Sequence, residues 1–231
     1  MKAADVMTKA VISIPSDGTV EEAVRVMLEH HVSALPVIDA DGKLVGLVSE
    51  GDLMRRFEKP QSARRSWWLE LLEGSGDSAR DFVKLRSHHV ADVMTRDVIT
   101  AQEETTVAEV ARLLEKHHIK RVPVVKDARV VGIVSRANLL HALSSAEDGR
   151  VPNPSNDDRA LRGQIEKALK EVPGVAANLL NLTVNAGAIS VWGVVGDETE
   201  IGAIRVAVEN VPGVHSVEMH VGRLPAWAYG I

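Results

Sequence analysis

The chain has 231 residues, 45% hydrophobic and 26% charged, with a net charge of −5 and no cysteine. That length holds one large or two smaller domains with buried cores, and the missing cysteine excludes disulfides, thiolate metal sites and cysteine nucleophiles. The acidic balance argues against non-specific nucleic-acid binding. Met1 to Asp5 lack the apolar run of a signal peptide, and no stretch approaches the roughly 20 apolar residues of a spanning helix, so a soluble cytoplasmic protein is expected.

The first elements are written twice. Ala4-Asp5-Val6-Met7-Thr8 returns as Ala91-Asp92-Val93-Met94-Thr95, and the residues behind each copy repeat in order. Val11-Ile12-Ser13-Ile14 reads as a short strand closed by Pro15-Ser16-Asp17-Gly18. Thr19, with Glu22 three residues on, is a capping-box pattern. The helix behind it sets Val20, Ala23, Val24, Met27 and Leu28 on one face and ends near His30-His31. Val37-Ile38 and Leu44 to Val48 form a hairpin around Asp39-Ala40-Asp41-Gly42, and Ser49 starts a helix near Asp52-Leu53-Met54. The second copy gives Val98-Ile99-Thr100, a helix from Thr106 to His117, Val124-Val125 with Val130 to Val134, and a helix from Ser135.

Between the copies, residues 55–89 are an insertion built around Ser66-Trp67-Trp68-Leu69, read as one short helix. Adjacent tryptophans diverge by about 100° on a helix, so one of them meets a second surface, in the same chain or a dimer mate or, in the alternative reading, in a specific ligand or partner. Residues 145–157 carry Pro, Gly, Asn and charge and read as a linker. A small α+β unit follows over 158–222, with a tail at 223–231. Its helix is striped by Leu161, Ile165, Ala168 and Leu169; strands come at Leu182 to Val184 and Ala188 to Val195. A helix over 198–210 and an alternating strand over 214–221 complete it.

Taken together and duplicated, Asp-Val-Met-Thr, His-x-[Val/Ile]-x-x-x-Pro-Val and Gly-x-Val-Ser-x-x-[Asp/Asn]-Leu resemble the CBS motif, and the pair resembles a Bateman module. The resemblance implies an α/β fold, each motif running β-α-β-β-α, over 1–54 and 90–144. It also implies clefts between the motifs for an adenosine-containing ligand (AMP, ADP, ATP, NAD(H) or S-adenosylmethionine) and pairing into a homodimer. Val184-x-x-Gly187-x-Ile189-x-Val191-x-Gly193-x-Val195, followed by Val211-Pro212-Gly213-Val214, resembles a BON domain of α-β-β-α-β order used for interaction. That family is sometimes associated with phospholipid. Here five Arg and Lys stand against eight Asp and Glu over 158–222, the wrong sign for anionic lipid. A protein partner is the expectation, with membrane and nucleic acid set aside.

The candidate ligand residues lie at corresponding places in the two motifs. Ser49 ends a strand where a helix begins, so its hydroxyl and the amides there suit a phosphate. Asp52 offers acceptors to a ribose diol. Ala34, Leu35 and Pro36 leave any base recognition to backbone groups, and Ser13 completes the set. The second motif answers with Thr100, Lys120, Arg121, Pro123, Ser135, Arg136 and Asn138. Asn138 departs from the family's aspartate and loses the charge-assisted pair to ribose, so the two sites should be unequal, the Asp52 site stronger. Glu50 behind Ser49 and Arg136 behind Ser135 point a polyphosphate toward the second motif. Each of these residues also has a plainer reading, Asp52 as a helix-start acid and Arg136 as a solvated cation. Adjacent histidines diverge on a helix without an acidic partner at suitable spacing, so no metal is expected. No phosphate loop, metal cluster or Ser-His-Asp set marks an enzyme. The alternative to a nucleotide sensor is a ligand-independent dimeric scaffold with vestigial clefts.

Overall fold

The computed structural model describes residues 1–58, 88–144 and 154–223. The insertion helix with Trp67 and Trp68, most of the expected linker and the tail lie outside the described residues. The chain divides into two units, Ile12–Val98 and a second made of Met1–Val11 with Ile99–Ile231.

In the unit of Ile12–Val98, strands β1 (Ile14–Pro15), β2 (Ala34–Ile38) and β3 (Leu44–Ser49) make a sheet in that order. β1 runs parallel to β2, and β2 antiparallel to β3. Between β1 and β2 lies α2 (Val20–Glu29). Its start is fixed by a reciprocal box in which Glu22 N–H donates to Thr19 Oγ1 at 3.1 Å and Thr19 N–H to Glu22 Oε2 at 2.8 Å, an arrangement worth about 1 kcal/mol. Val20, Ala23 and Met27 from this helix enter the core. Val24 and Leu28, expected on the same buried stripe, are 39% and 68% exposed. The apolar band is wider than the surface the sheet offers, so its flank faces outward with Met54 of α3 (Glu50–Glu58).

The second unit repeats this plan with β4 (Ala101–Gln102), α5 (Val107–Lys116), β5 (Arg121–Lys126), β6 (Arg129–Ser135) and α6 (Arg136–Ser144). Thr106 and Glu109 repeat the capping box. The opening strand of each copy was expected over Val11–Ile14 and Val98–Thr100. It pairs instead one to three residues later, as two-residue strands, because only Ile14–Pro15 and Ala101–Gln102 reach the edges of β2 and β5.

Each copy of Ala-Asp-Val-Met-Thr folds into one helical turn that the hydrophobic pattern did not show, α1 (Ala3–Val6) and α4 (Val90–Val93). Four residues are too few to display a period. Neither leader stays with the repeat it precedes in sequence. Thr8 pairs with Ile133, amide to carbonyl both ways at 2.9 Å, and Thr95 pairs in the same manner with Leu47. The methionine of each leader lies flat on a strand glycine. A Cβ built on Gly132 would stand 2.3 Å from Met7 Sδ, and one on Gly46 2.3 Å from Met94 Sδ. Glycine at these positions is a requirement of close packing.

Behind the second repeat, in the same unit, come α7 (Asn156–Lys170), a 3₁₀ turn (Ala177–Leu179), β7 (Leu180–Asn185), β8 (Ala188–Val195), α8 (Glu198–Glu209) and β9 (Ser216–Arg223). The α-β-β-α-β order matches the expectation. α7 begins inside the segment read as linker, because Ser155 and Asp158 form another capping box, Asp158 N–H to Ser155 Oγ at 3.0 Å. β7 and β8 are joined through Ala186 (φ 49°) and Gly187 (φ 77°), the two positive-φ positions of a tight hairpin. α8 carries the crossover that parallel pairing of β8 with β9 requires. Leu161, Ile165 and Leu169 of α7 pack with Leu182, Val184, Ile189, Val191, Ile204 and Val208, each contributing about 1.5–3 kcal/mol by leaving water.

Candidate functional site

In the unit of Ile12–Val98, five of the residues singled out above gather at the ends of β2 and β3, with Ser13 just ahead of β1. Ala34 pairs with Ser49, Leu35 with Val48 and Pro36 with Leu47. Leu35 is fully buried in the core, so its side chain is committed to packing. Ser49 and Asp52 are linked to each other. Ser49 Oγ donates to Asp52 Oδ2 at 2.6 Å, Ser49 N–H to the same oxygen at 3.0 Å, and Asp52 N–H to Ser49 Oγ at 3.4 Å. Glu50 N–H donates to the Ser33 carbonyl at 3.1 Å. The amides read from sequence as open to phosphate are therefore already engaged at this helix start, because the helix caps itself.

The second unit holds Thr100, Lys120, Arg121, Pro123, Ser135, Arg136 and Asn138. Arg121 pairs with Ser135 and Pro123 with Ile133. Arg136 is exposed, its backbone N–H on the Lys120 carbonyl at 3.3 Å and its guanidinium on the Ile119 carbonyl at 3.3 Å. Lys120 is exposed as well, so two cations border this helix start, where the first motif has Glu50. Asn138 is buried, 5% exposed. Its Oδ1 accepts from Ser135 N–H at 2.7 Å and Ser135 Oγ at 2.6 Å. Its Nδ2 donates to the Val6 carbonyl at 3.1 Å and to Thr8 Oγ1 at 3.3 Å.

The same unit shows a set of functional groups that sequence reading passed over, where α7 and β7 meet the α1 leader. Arg159 grips Asp5 with both ends of its fork, Nε to Oδ1 at 2.7 Å and an Nη to Oδ2 at 3.2 Å. Burial alone would raise the Asp5 pKa, but the Arg159 guanidinium and the Lys2 amide outweigh it and hold the carboxyl below its ordinary value. Arg162, 5% exposed, donates to the carbonyls of Ala4 (3.2 Å), Asp5 and Met7 (2.6 Å) and to Glu166 (2.9 Å). Burial lowers its pKa against the pull of Glu166, yet a guanidinium stays charged. Asn181 Nδ2 donates to the Val6 carbonyl at 2.9 Å. Trp192 of β8 is sandwiched between His141 of α6, 4.8 Å between ring centroids, and His220 of β9 at 3.8 Å, each ring tilted by 13°. Burial depresses the His141 pKa, with Asn181 opposing and His220 adding to the shift. The arginine spacing of three residues was visible in the sequence; its targets, 154 to 158 residues away, were not.

No group of three His, Asp or Glu side chains suited to a metal occurs among the described residues. None of their helices is long and apolar enough to cross a membrane.

With this geometry in hand, comparison with known proteins is informative. The CBS domain family matches residues 3–59 and 90–145, and the BON domain family residues 157–223. An uncharacterised protein of Methanocaldococcus jannaschii is 33% identical over 60% of this chain and 89% of its own length. The solved structure of CBSX2, a CBS-pair protein of Arabidopsis thaliana, in complex with AMP superposes with a TM-score of 0.53, at 29% identity over 63% of this chain and 98% of that one. The CBS domain pair of protein MJ0100 in complex with 5′-methylthioadenosine and S-adenosyl-L-methionine gives a TM-score of 0.50, at 27% identity over 64% and 98%. Against curated enzymes such as an inosine-5′-monophosphate dehydrogenase of M. jannaschii, this chain spans 23% of their length. The family match there is to the CBS region and to no catalytic domain.

Proposed function

This chain belongs to the CBS-domain family and carries a BON domain behind its two CBS motifs, and from that premise we propose that it is a cytoplasmic regulatory protein that binds an adenosine-containing ligand. The observation that carries this reading is the fold itself. Its CBS pair resembles two solved pairs that hold AMP or S-adenosyl-L-methionine, and it places a Ser-x-x-[Asp/Asn] box at the strand-to-helix junction of each motif. In the first motif a ribose diol takes the place of Ser49 Oγ at Asp52, whose carboxylate offers acceptors only. Lys120 and Arg136 supply positive charge for a phosphate at the second.

Ligand binding regulates only by favouring one of two states. In our reading the states differ in how two chains pair and in what the BON domain presents to a protein partner. The exposed Leu28 and Met54 on one unit and Leu140 and Leu143 on the other are apolar surface of the kind a second copy covers. The test is a calorimetric titration with AMP, ADP, ATP, NAD(H) and S-adenosylmethionine, for wild type and Asp52→Ala. Saturable binding weakened at least tenfold by Asp52→Ala is expected. Equal affinity in the two proteins removes Asp52 from the site, and no binding by either favours a ligand-independent scaffold.

A further inference from the structure

Residue 138 stands where the first motif has Asp52, and here the two capping boxes part in chemistry. Closing the box requires only an acceptor, which Asp52 and Asn138 both provide to a serine amide and hydroxyl. A carboxylate cannot donate, and Asn138 donates twice, to the Val6 carbonyl and to Thr8 Oγ1. The Val6 carbonyl takes its second donor from Asn181 of the BON domain. Arg162 holds the carbonyls on either side, those of Ala4, Asp5 and Met7. Every carbonyl from Ala4 to Met7 therefore accepts from a side chain of the second CBS motif or of the BON domain. The leader is the piece both domains grip.

We propose that Asn138 is the specificity-determining residue of the second CBS motif: its carboxamide withdraws that half-site from ribose and commits it to holding the leader on which the BON domain docks. A carboxamide has one acceptor oxygen where a carboxylate has two. Oδ1 already receives the serine amide and hydroxyl and Nδ2 gives away both protons, so even with Ser135 Oγ displaced the two hydroxyls of a ribose would share one acceptor position. An aspartate would set an oxygen against the Val6 carbonyl, two acceptors facing in a buried place, which is unfavourable. The inference rests on the adenosine reading of the first motif, and it gives one adenosine ligand per chain with the second motif serving as a dock.

The experiment uses the full chain with AMP as probe, comparing wild type, Asn138→Asp and Asn181→Ala by calorimetric stoichiometry and by amide hydrogen exchange. Wild type is expected to bind one AMP. Asn138→Asp is expected to bind two and to speed exchange across α7 and β7 about tenfold, equivalent to ~1.4 kcal/mol. Asn181→Ala, which leaves the half-site intact, should speed the same exchange while stoichiometry stays at one. Two AMP per wild-type chain, or unchanged exchange in Asn138→Asp, overturns the proposal. Exchange is read without nucleotide, so faster exchange in a protein that binds no AMP sinks the adenosine reading and the ribose half of this one, and leaves the dock standing.

Discussion

Arg162→Met is the sharpest test of what joins the BON domain to the second CBS motif. Methionine keeps an unbranched, adaptable stem and removes all the donors. The guanidinium is 5% exposed and serves three backbone carbonyls and Glu166. An acceptor left buried without a donor costs about 1–3 kcal/mol. Three of them would give more than the variant should show, because the desolvation cost of the buried cation, several kcal/mol, disappears with it. Glu166 also keeps Lys9 at 2.9 Å. The balance is the loss typical of removing one partner of a buried pair, about 3–5 kcal/mol. At about 2–4 °C per kcal/mol for a chain of this size, the melting point should fall by roughly 6–20 °C. Urea unfolding followed by circular dichroism gives the free energy, and hydrogen exchange locates it in α7 and the leader. A loss under about 1 kcal/mol would refute the reasoning, since the carbonyls would then be rehydrated at little cost and the BON contact would be ornamental.

Two other predictions come from the same unit. Burial under Trp192 favours neutral His141, with His220 on the far side of the tryptophan adding to the effect and Asn181 opposing it, so its folded pKa lies below the ordinary 6.5. A depressed pKa gives stability that is complete above about 6.5 and is lost as pH falls toward the folded value. Stability should therefore drop on acidification from pH 7 to 5, and His141→Phe, which keeps a ring in the stack, should flatten that slope; an equal slope in the variant counts against His141. Gly132→Ala drives a methyl into Met7, which is itself 1% exposed and has nowhere to move. The cost should be about 1–3 kcal/mol in urea unfolding. Combined with Met7→Ala the loss should be smaller than the sum of the single losses, and strict additivity would show that the two do not touch.

The repeats, their capping boxes and their hairpins were legible because each is local. Thr19 with Glu22 and Thr106 with Glu109 announce helix starts within four residues, and alternating apolar residues announce the strands. Ser155 with Asp158 carried the same signal and was read as linker, because the Pro, Asn and Asp around it spoke louder than one box. Ser49 with Asp52 and Ser135 with Asn138 lie at matching helix starts for the reason that made them visible, duplication. What stayed hidden was donor direction. Asparagine in place of aspartate read as a weakened ribose acceptor, and the sequence did not show that Asn138 also donates, through both amide protons, to the Val6 carbonyl and Thr8 Oγ1. Arg159, Arg162 and Asn181 were hidden by distance along the chain, since their targets are residues 4–7.

The exchange of leaders between the repeats has a consequence for synthesis. Residues 1–11 are translated ahead of both repeats, but the strand that Thr8 pairs with, at Ile133, is translated more than a hundred residues later. At about 5–20 residues per second this leader waits roughly 6–25 s with Val6 and Met7 uncovered. Meanwhile the first repeat can close as soon as Thr95 emerges to meet Leu47. The unit copied when the repeat was duplicated is thus not the unit that folds. A nascent chain stalled between residues 98 and 130 would hold one finished body and a loose apolar leader, the state most exposed to a chaperone or a protease.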